Sequence, residues 1–324
     1  MSHFLTIVSS DSGYIYDNLE RYCEQTEDEE YLEFEDKTEE LKEEYDGEVT
    51  AIKLPNGLIV EDSDSRFTKL YKLKNGNVYR KWFGKGKIDK RTKKCKKYKV
   101  LEKYPTNKIY KTFDEFATKG RYEIYHKEQK AYGYYYNPEG YYDWFSIGGR
   151  WSHELLVKKE VTDVIDEEPF LRKNDNKRSA PKGYKWVSGA KKCDIEWEKM
   201  RIINIKKAVR AYYRHKKIFE SFDTNQKHLY RIDENCLYYW DTMVYKNGES
   251  LREYLERRGL LDFRKFINCY AFVNETNEWK SKGQMGWFGI STGDKDNEVW
   301  QNEVKNFLDE VDDEQYIIFV DCHI

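Results

Sequence analysis

The stretch QYIIFVDCHI, residues 315–324, closes the chain, and its reading decides the fold. A short apolar run rich in β-branched and aromatic residues, Tyr316 to Val320, marks a strand buried inside a sheet. Side chains alternate along a strand, so Ile317, Phe319, Asp321 and His323 share one face. That face is apolar for two positions and then turns into a carboxylate and an imidazole. The other end of the chain supplies a counterpart, HFLTIVSS, residues 3–10, ended by the turn cluster Ser9-Ser10-Asp11-Ser12-Gly13. If the two strands pair antiparallel, His3 lies beside His323. His3, Asp321 and His323 then converge as candidate catalytic residues for acid–base chemistry, or as ligands of a divalent metal ion.

Working inward, NEVWQNEVKNFLDEV predicts an amphipathic helix, with Trp300, Val304, Phe307 and Val311 on one face. CYAFVNETNEWKSKGQMGWFG reads as a hairpin, and a short helix is expected near 16–23. Strand, helix, hairpin, helix, strand is the order of a ferredoxin-like α+β layer, an antiparallel sheet layered with helices. Hairpins imply antiparallel pairing, which argues against a doubly wound α/β sheet. The expectation is one α+β domain over 1–324 with large insertions: an acidic one at 24–48, a basic loop at 80–99, a charged loop at 162–187 and a helical one at 196–260. In the acidic segment TEELKEEY predicts a helix. AIKLPNGLIVE and KLYKLKNGNVYRKW predict hairpins around their Asn-Gly turns. TFDEFATKG predicts a short helix that Thr112 caps and Gly120 stops. The 196–222 segment predicts a long helix with an apolar stripe of Ile202, Ile205, Val209 and Tyr212, and a basic surface on which His215 is the titratable group. SLREYLERRG predicts another helix with a glycine stop.

Composition narrows the function classes. Hydrophobic residues make up 39%, but 28 Tyr, 16 Phe and 9 Trp supply large buried areas, so an aromatic-rich core is expected. The net charge of -2 gives no global pull toward nucleic acid or membrane. No apolar run approaches the roughly 20 residues of a membrane span, and the start MSHFLTIVSS lacks a signal-peptide pattern. A cytosolic protein is expected. The cysteines at 23, 95, 193, 236, 269 and 322 form no CxxC pair, which excludes a zinc ribbon or a thioredoxin motif. The acidic segment suits a basic partner or a solvated surface. The basic segment, with Trp82, Phe83 and Tyr98, suits a solvated loop, or phosphates with rings stacked on bases.

The stretch NPEGYYDWFSIGGRWSHEL, 137–155, packs aromatic rings around a Gly148-Gly149 joint. Glycines there permit positive φ or the close approach of another group. Arg150 is expected to pair with Asp143 or to hold an anionic group as a fork. Trp144, Trp151 and Trp287 are candidate walls of a ligand pocket. The Gly-Gly pair is not a phosphate loop, since neither GxGxxG nor GxxxxGK[ST] occurs, and GxSxG, HExxH and EF-hand patterns are also missing.

Several of these pieces together, MSHF, YLEFEDKTEELKEEY, GYYYNPEGYYDWFSIGGRW, GAKKCDIEWEKM and GQMGWFGISTG with the closing VDCHI, resemble a family of uncharacterised bacteriophage and mobile-element proteins. The likeness is collinear over nearly the whole chain; the basic 80–99 stretch is extra to it. The matched positions include His3, Asn137, Asp143, Trp144, Gly148, Gly149, Arg150, Trp151, Asp194, Gly286, Trp287, Gly289, Asp321 and His323. The resemblance implies a setting in the host-cell cytosol and a shared site at the two terminal strands. The expected function is a small anionic, nucleotide-like ligand site with hydrolysis as its reaction. The alternatives are a binding protein that inhibits a host defence factor, and a nucleic-acid-binding accessory protein acting through 80–99.

Overall fold

The computed structural model describes residues 2–53, 57–64, 69–72, 78–81, 99–166, 179–221, 229–240, 242–262, 264–286 and 289–324. They fall into two compact units, Met1–Tyr31 with Asn137–Ile324, and Leu32–Tyr136. The boundary differs from the single domain expected. Leu32–Tyr136 is one continuous excursion that takes in most of the acidic segment and the whole basic one. It has its own small core of Leu41, Phe116 and Ala117, packed by Tyr45, Tyr110, Phe113 and Tyr132. The predicted helix is present at Thr38–Asp46, both predicted hairpins form antiparallel pairs, and Thr112 caps Phe113–Glu115 by accepting from the Glu115 N–H. Most of the basic stretch, 82–98, lies outside the described residues.

The first unit is organised by a seven-stranded sheet. The N-terminal strand His3–Ser10 pairs antiparallel with the C-terminal strand Tyr316–His323 along its full length, with His3 opposite His323. The free edge of the C-terminal strand is shared in tandem. Gly189–Lys191 pairs with its first half and Trp144–Ile147 with its second. On the other side, His3–Ser10 runs parallel to Ala271–Val273, which forms a hairpin with Trp279–Ser281. This corrects the ferredoxin-like expectation: the sheet is mixed. The hairpin's first strand also sits directly against the N-terminal strand, where a split βαβ unit would leave room for another. The long intervening chain supplies the crossover that parallel pairing needs. Mixed α+β is the class observed.

Both faces of the two central strands are covered, which is why their sequences read as unbroken apolar runs. Leu5, Ile7, Ile317 and Phe319 meet Trp300, Val304, Phe307 and Leu308 of the helix Asn297–Glu310, together with Trp197 and Met200 of the helix Trp197–Glu220. Phe272 stacks on Phe307 with centroids 4.3 Å apart. The opposite face, Phe4, Val8, Ile318, Val320 and Cys322, packs on Ile15, Leu19, Tyr22 and Tyr142. Asp296 starts the helix Asn297–Glu310 by accepting from two backbone N–H groups, and Ser250 with Glu253 forms a capping box for Leu251–Arg257.

Two further expectations are corrected. The 162–187 segment is not all loop, because Val164–Ile165 and Tyr184–Val187 are strands. The long helix keeps part of its expected stripe, since Tyr212 is buried and Ile205 packs on the same core, but turns Ile202 outward. It buries Trp197, Met200, Ala208, Tyr212 and His215, while Ile202 is 41% exposed. Its first half packs on the sheet core and its second half on the core around Leu237, Tyr245 and Tyr254, and these surfaces fix its rotation. Among the described residues, no helix is long and apolar enough to cross a membrane.

Candidate functional site

The antiparallel register brings the two ends of the chain together, and the odd-numbered side chains of both strands then share a face. On that face the His3 Nδ1 lies 2.8 Å from Asp321 Oδ1. The second carboxylate oxygen, Oδ2, accepts the backbone N–H of Arg150 at 2.9 Å. Asp321 is therefore buried with both oxygens engaged, and buried polar groups are stable only when so engaged.

The Gly148-Gly149 pair makes this clamp. Both residues have positive φ, 70° and 48°, a region that costs other residues strain. A Cβ on Gly149 would overlap the Asp321 side chain, and one on Gly148 would overlap Ser188 and Ser152. The Gly148 N–H donates to the Phe319 carbonyl at 2.7 Å. The chain then turns through Gly149–Trp151, which aims the Arg150 N–H at Asp321. The motif acts on the site through its backbone.

The second histidine sits differently. Trp144 lies directly opposite His323 in the sheet, and its ring stacks on the imidazole with centroids 4.7 Å apart and planes at 15°. The His3 ring stands edge-on to His323 at 4.9 Å and to Trp144 at 5.7 Å. His323 is buried, and neither of its ring nitrogens has a hydrogen-bond partner among the described residues. Asp143 Oδ2 is 3.5 Å from Nδ1, close enough to attract but not aligned as a hydrogen bond. Asp143 also faces Glu24. Partial burial, followed by the charge and hydrogen bonding of Asp143, raises the Glu24 carboxyl above its ordinary pKa.

A cavity of about 200 Å³ lies on the same face, lined by Leu5, Phe319, Trp151, Trp186, Met200 and Asn204 among others. Leu5 and Phe319 are each two residues from His3 and Asp321 on their strands, a step of roughly 7 Å.

Of the residues singled out from sequence, the structure gathers His3, Asp321, His323, Trp144 and Asp143, and places Trp151 on the cavity wall. Three expectations change. The Arg150 side chain is exposed and forms no ion pair with Asp143 among the described residues. His323 cannot present a reactive nitrogen, because Trp144 and the sheet enclose it. The trio also is not arranged as a metal site: among the described residues no three His, Cys, Asp or Glu side chains are grouped to hold an ion. Trp287 lies outside the described residues. Sequence reasoning missed Glu24, which it left inside the acidic block, and Trp186, which it left inside a loop. Leu5 and Phe319 carried a usable signal in their shared parity with His3 and Asp321. Comparison of the chain with known protein families, with curated proteins and with solved structures finds no match.

Proposed function

We propose that the chain binds a small anionic, nucleotide-like ligand at this strand end and hydrolyses it, with His3 as general base. The observation that carries the reading is the fixed His3–Asp321 pair. Asp321 engages Nδ1 and is itself held by the Arg150 N–H, so it favours the tautomer that leaves His3 Nε2 as a proton acceptor. Nε2 would take a proton from a water molecule as that water attacks the ligand. The exposed Arg150 guanidinium is available to the ligand's negative charge, and Trp151 and Trp186 offer flat apolar walls to a ring. His323 and Trp144 form a rigid wall behind His3.

The test uses the purified full-length protein with a panel of nucleoside mono-, di- and triphosphates, following melting temperature and product formation. A ligand of the native state raises the melting temperature. The expected result is one or more stabilising nucleotides and a turnover that His3→Asn abolishes. Turnover unaffected by His3→Asn, or no stabilising nucleotide, overturns the reading.

A second reading, inhibition of a host factor by binding, has support in the second unit. Its three-stranded sheet of Glu33–Asp36, Ala131–Tyr136 and Ile124–His126 exposes Tyr125, Tyr134, Tyr135 and Tyr136, with Tyr122 nearby in sequence. Exposed Glu39, Glu40 and Glu43 follow on the helix Thr38–Asp46. Tyrosines beside carboxylates suit a basic protein surface. Capture of one host protein that is lost with Glu39, Glu40 and Glu43 all changed to Lys supports it; capture indifferent to those changes rejects it. The resemblance to phage and mobile-element proteins supports a host-cytosol setting for both readings. Nucleic-acid binding through 80–99 is the third, and deletion of 82–98 with no change in affinity or salt dependence removes it.

A further inference from the structure

The even-numbered face of the two central strands leads to another pocket, on the side away from His3 and Asp321. It is a cavity of about 230 Å³ lined by Phe4 and Ile324 of that face, and by Glu24, Tyr141, Tyr270 and Trp279 among others. Sites for drug-sized ligands run to roughly 300–1,000 Å³, so this one suits a small head group. Tyr141 stacks on Trp279 with centroids 5.1 Å apart and planes at 11°. Phe4 stands edge-on to Trp279 at 6.3 Å and to Tyr270 at 5.3 Å. Rings in two orientations therefore wall the pocket, each braced by another.

Glu24 is the one charged side chain among the described residues that line it. Its backbone is pinned to the 137–142 turn. The Glu24 N–H donates to the Tyr142 carbonyl at 2.8 Å, and the Tyr141 N–H to the Tyr22 carbonyl at 2.9 Å. Gly140 lets the two segments meet this closely, since a Cβ there would overlap Glu24 Cα and Cγ. Cations adjoining the pocket in sequence are committed to other acids: Arg21 to Glu139 at 2.5 Å, Lys280 to Glu278 at 3.4 Å and Lys282 to Asp294 at 3.6 Å. The charge that Glu24 does face, Asp143, is of its own sign. A cation set against Glu24 relieves that repulsion, and aromatic faces attract the same cation.

We infer that this pocket binds a small alkylated ammonium group, with Glu24 as its counter-ion and the rings of Phe4, Tyr141 and Trp279 as its walls. This goes beyond the proposed function, since the site at His3 and Asp321 takes an anion and lies on the opposite face. A divalent metal ion needs several oxygen ligands, and one carboxylate among rings does not supply them. An ammonium carrying methyl groups is weakly hydrated, buries its apolar surface on the rings and keeps its charge for the carboxylate.

The experiment is calorimetric titration of the full-length protein with choline, and with the uncharged isostere in which carbon replaces the quaternary nitrogen. The variants are Glu24→Gln, Tyr141→Leu and a control, Glu278→Gln, beside Trp279 in sequence but outside the cavity lining. The expected result is choline binding that is roughly tenfold or more tighter than binding of the isostere. Glu24→Gln weakens choline roughly tenfold, the loss of one charge-assisted contact. Tyr141→Leu weakens it about two- to fivefold, the loss of one partly exposed cation–π contact, and Glu278→Gln stays within twofold. The comparison of choline with its isostere needs no variant, so it holds should a substitution disturb the fold. Equal affinity for the two compounds means a merely apolar pocket and overturns the inference. So does equal weakening in Glu24→Gln and Glu278→Gln, which means diffuse attraction to an acidic surface, and so does undetectable choline binding at millimolar concentrations. His3→Asn leaves choline binding unchanged, so failure of the hydrolytic reading and failure of this site are separate results.

Discussion

Two carboxylate–imidazole pairs stand side by side at the end of the central strands, and they are built in opposite senses. In the Asp321–His3 pair the acid is buried and the imidazole reaches further out, with side chains 4% and 13% exposed at 2.8 Å. In the Asp143–His323 pair the imidazole is buried and the acid is the more open group, 6% and 28% exposed at 3.5 Å. A buried, doubly bonded carboxylate holds an imidazole in one orientation toward whatever approaches it. A buried imidazole under a Trp ring, with its nitrogens unpartnered, is packing. One pair orients a reactive group, and the other makes the wall that group stands against.

Substitutions can break this contrast. Asp321→Ala has the largest expected effect. It orphans His3 Nδ1 and the Arg150 N–H, at about 1–3 kcal/mol for each buried group left unsatisfied, read from a urea unfolding midpoint, and it removes His3-dependent turnover. A midpoint within experimental error of the unaltered protein would contradict the clamp. Gly149→Ala comes next. The new methyl group collides with Asp321 at a positive-φ position, and about 1–3 kcal/mol of destabilisation is expected, with turnover falling although no chemical group is removed. Asp143→Asn follows, costing under about 1 kcal/mol, the scale of a half-open ion pair. His323→Phe sharpens the contrast from the other side. It preserves ring stacking on Trp144 and removes two unpartnered nitrogens, so stability and turnover should stay near those of the unaltered protein. Lost turnover with the fold intact would make His323 a participant. A small, pH-dependent effect concerns Glu24. A carboxyl whose pKa is raised by folding stabilises the fold below its unfolded pKa and loses that contribution as pH rises through the raised value. Glu24→Gln should therefore be more stable than the unaltered protein above that value and lose the advantage as pH falls through the carboxylate range. Melting curves from pH 4 to 8 that run parallel for the two proteins would count against the Glu24–Asp143 contact.

Local pattern carried much of the fold. Terminal strands, the helices Thr38–Asp46, Leu251–Arg257 and Asn297–Glu310, and the hairpins follow from periodicity, caps and Asn-Gly turns. Strand parity also carried the convergence of His3, Asp321 and His323, because residues two apart share a face and antiparallel ends meet. On the long helix, pattern placed Ile205 and Tyr212 inward but failed at Ile202, which is exposed. Two separate cores compete for that helix, and local spacing does not say which contacts win. It failed on the mixed sheet for a related reason: the direction in which Ala271–Val273 lies against His3–Ser10 depends on a crossover of more than two hundred residues.

From the sequence alone, the chain's two ends are strands whose final polar residues lie on a common face, and residues 148–149 permit an unusual turn. Tertiary structure decided what that turn is for. Pairing of Trp144–Ile147 with Tyr316–His323 sets Gly149 against a carboxylate 172 positions away, converting two glycines and one backbone N–H into the clamp on Asp321. It also buried His323 and left His3 more open. The residues are symmetric in type, and only packing makes them unequal, because burial and partner geometry arise between segments that no local pattern connects.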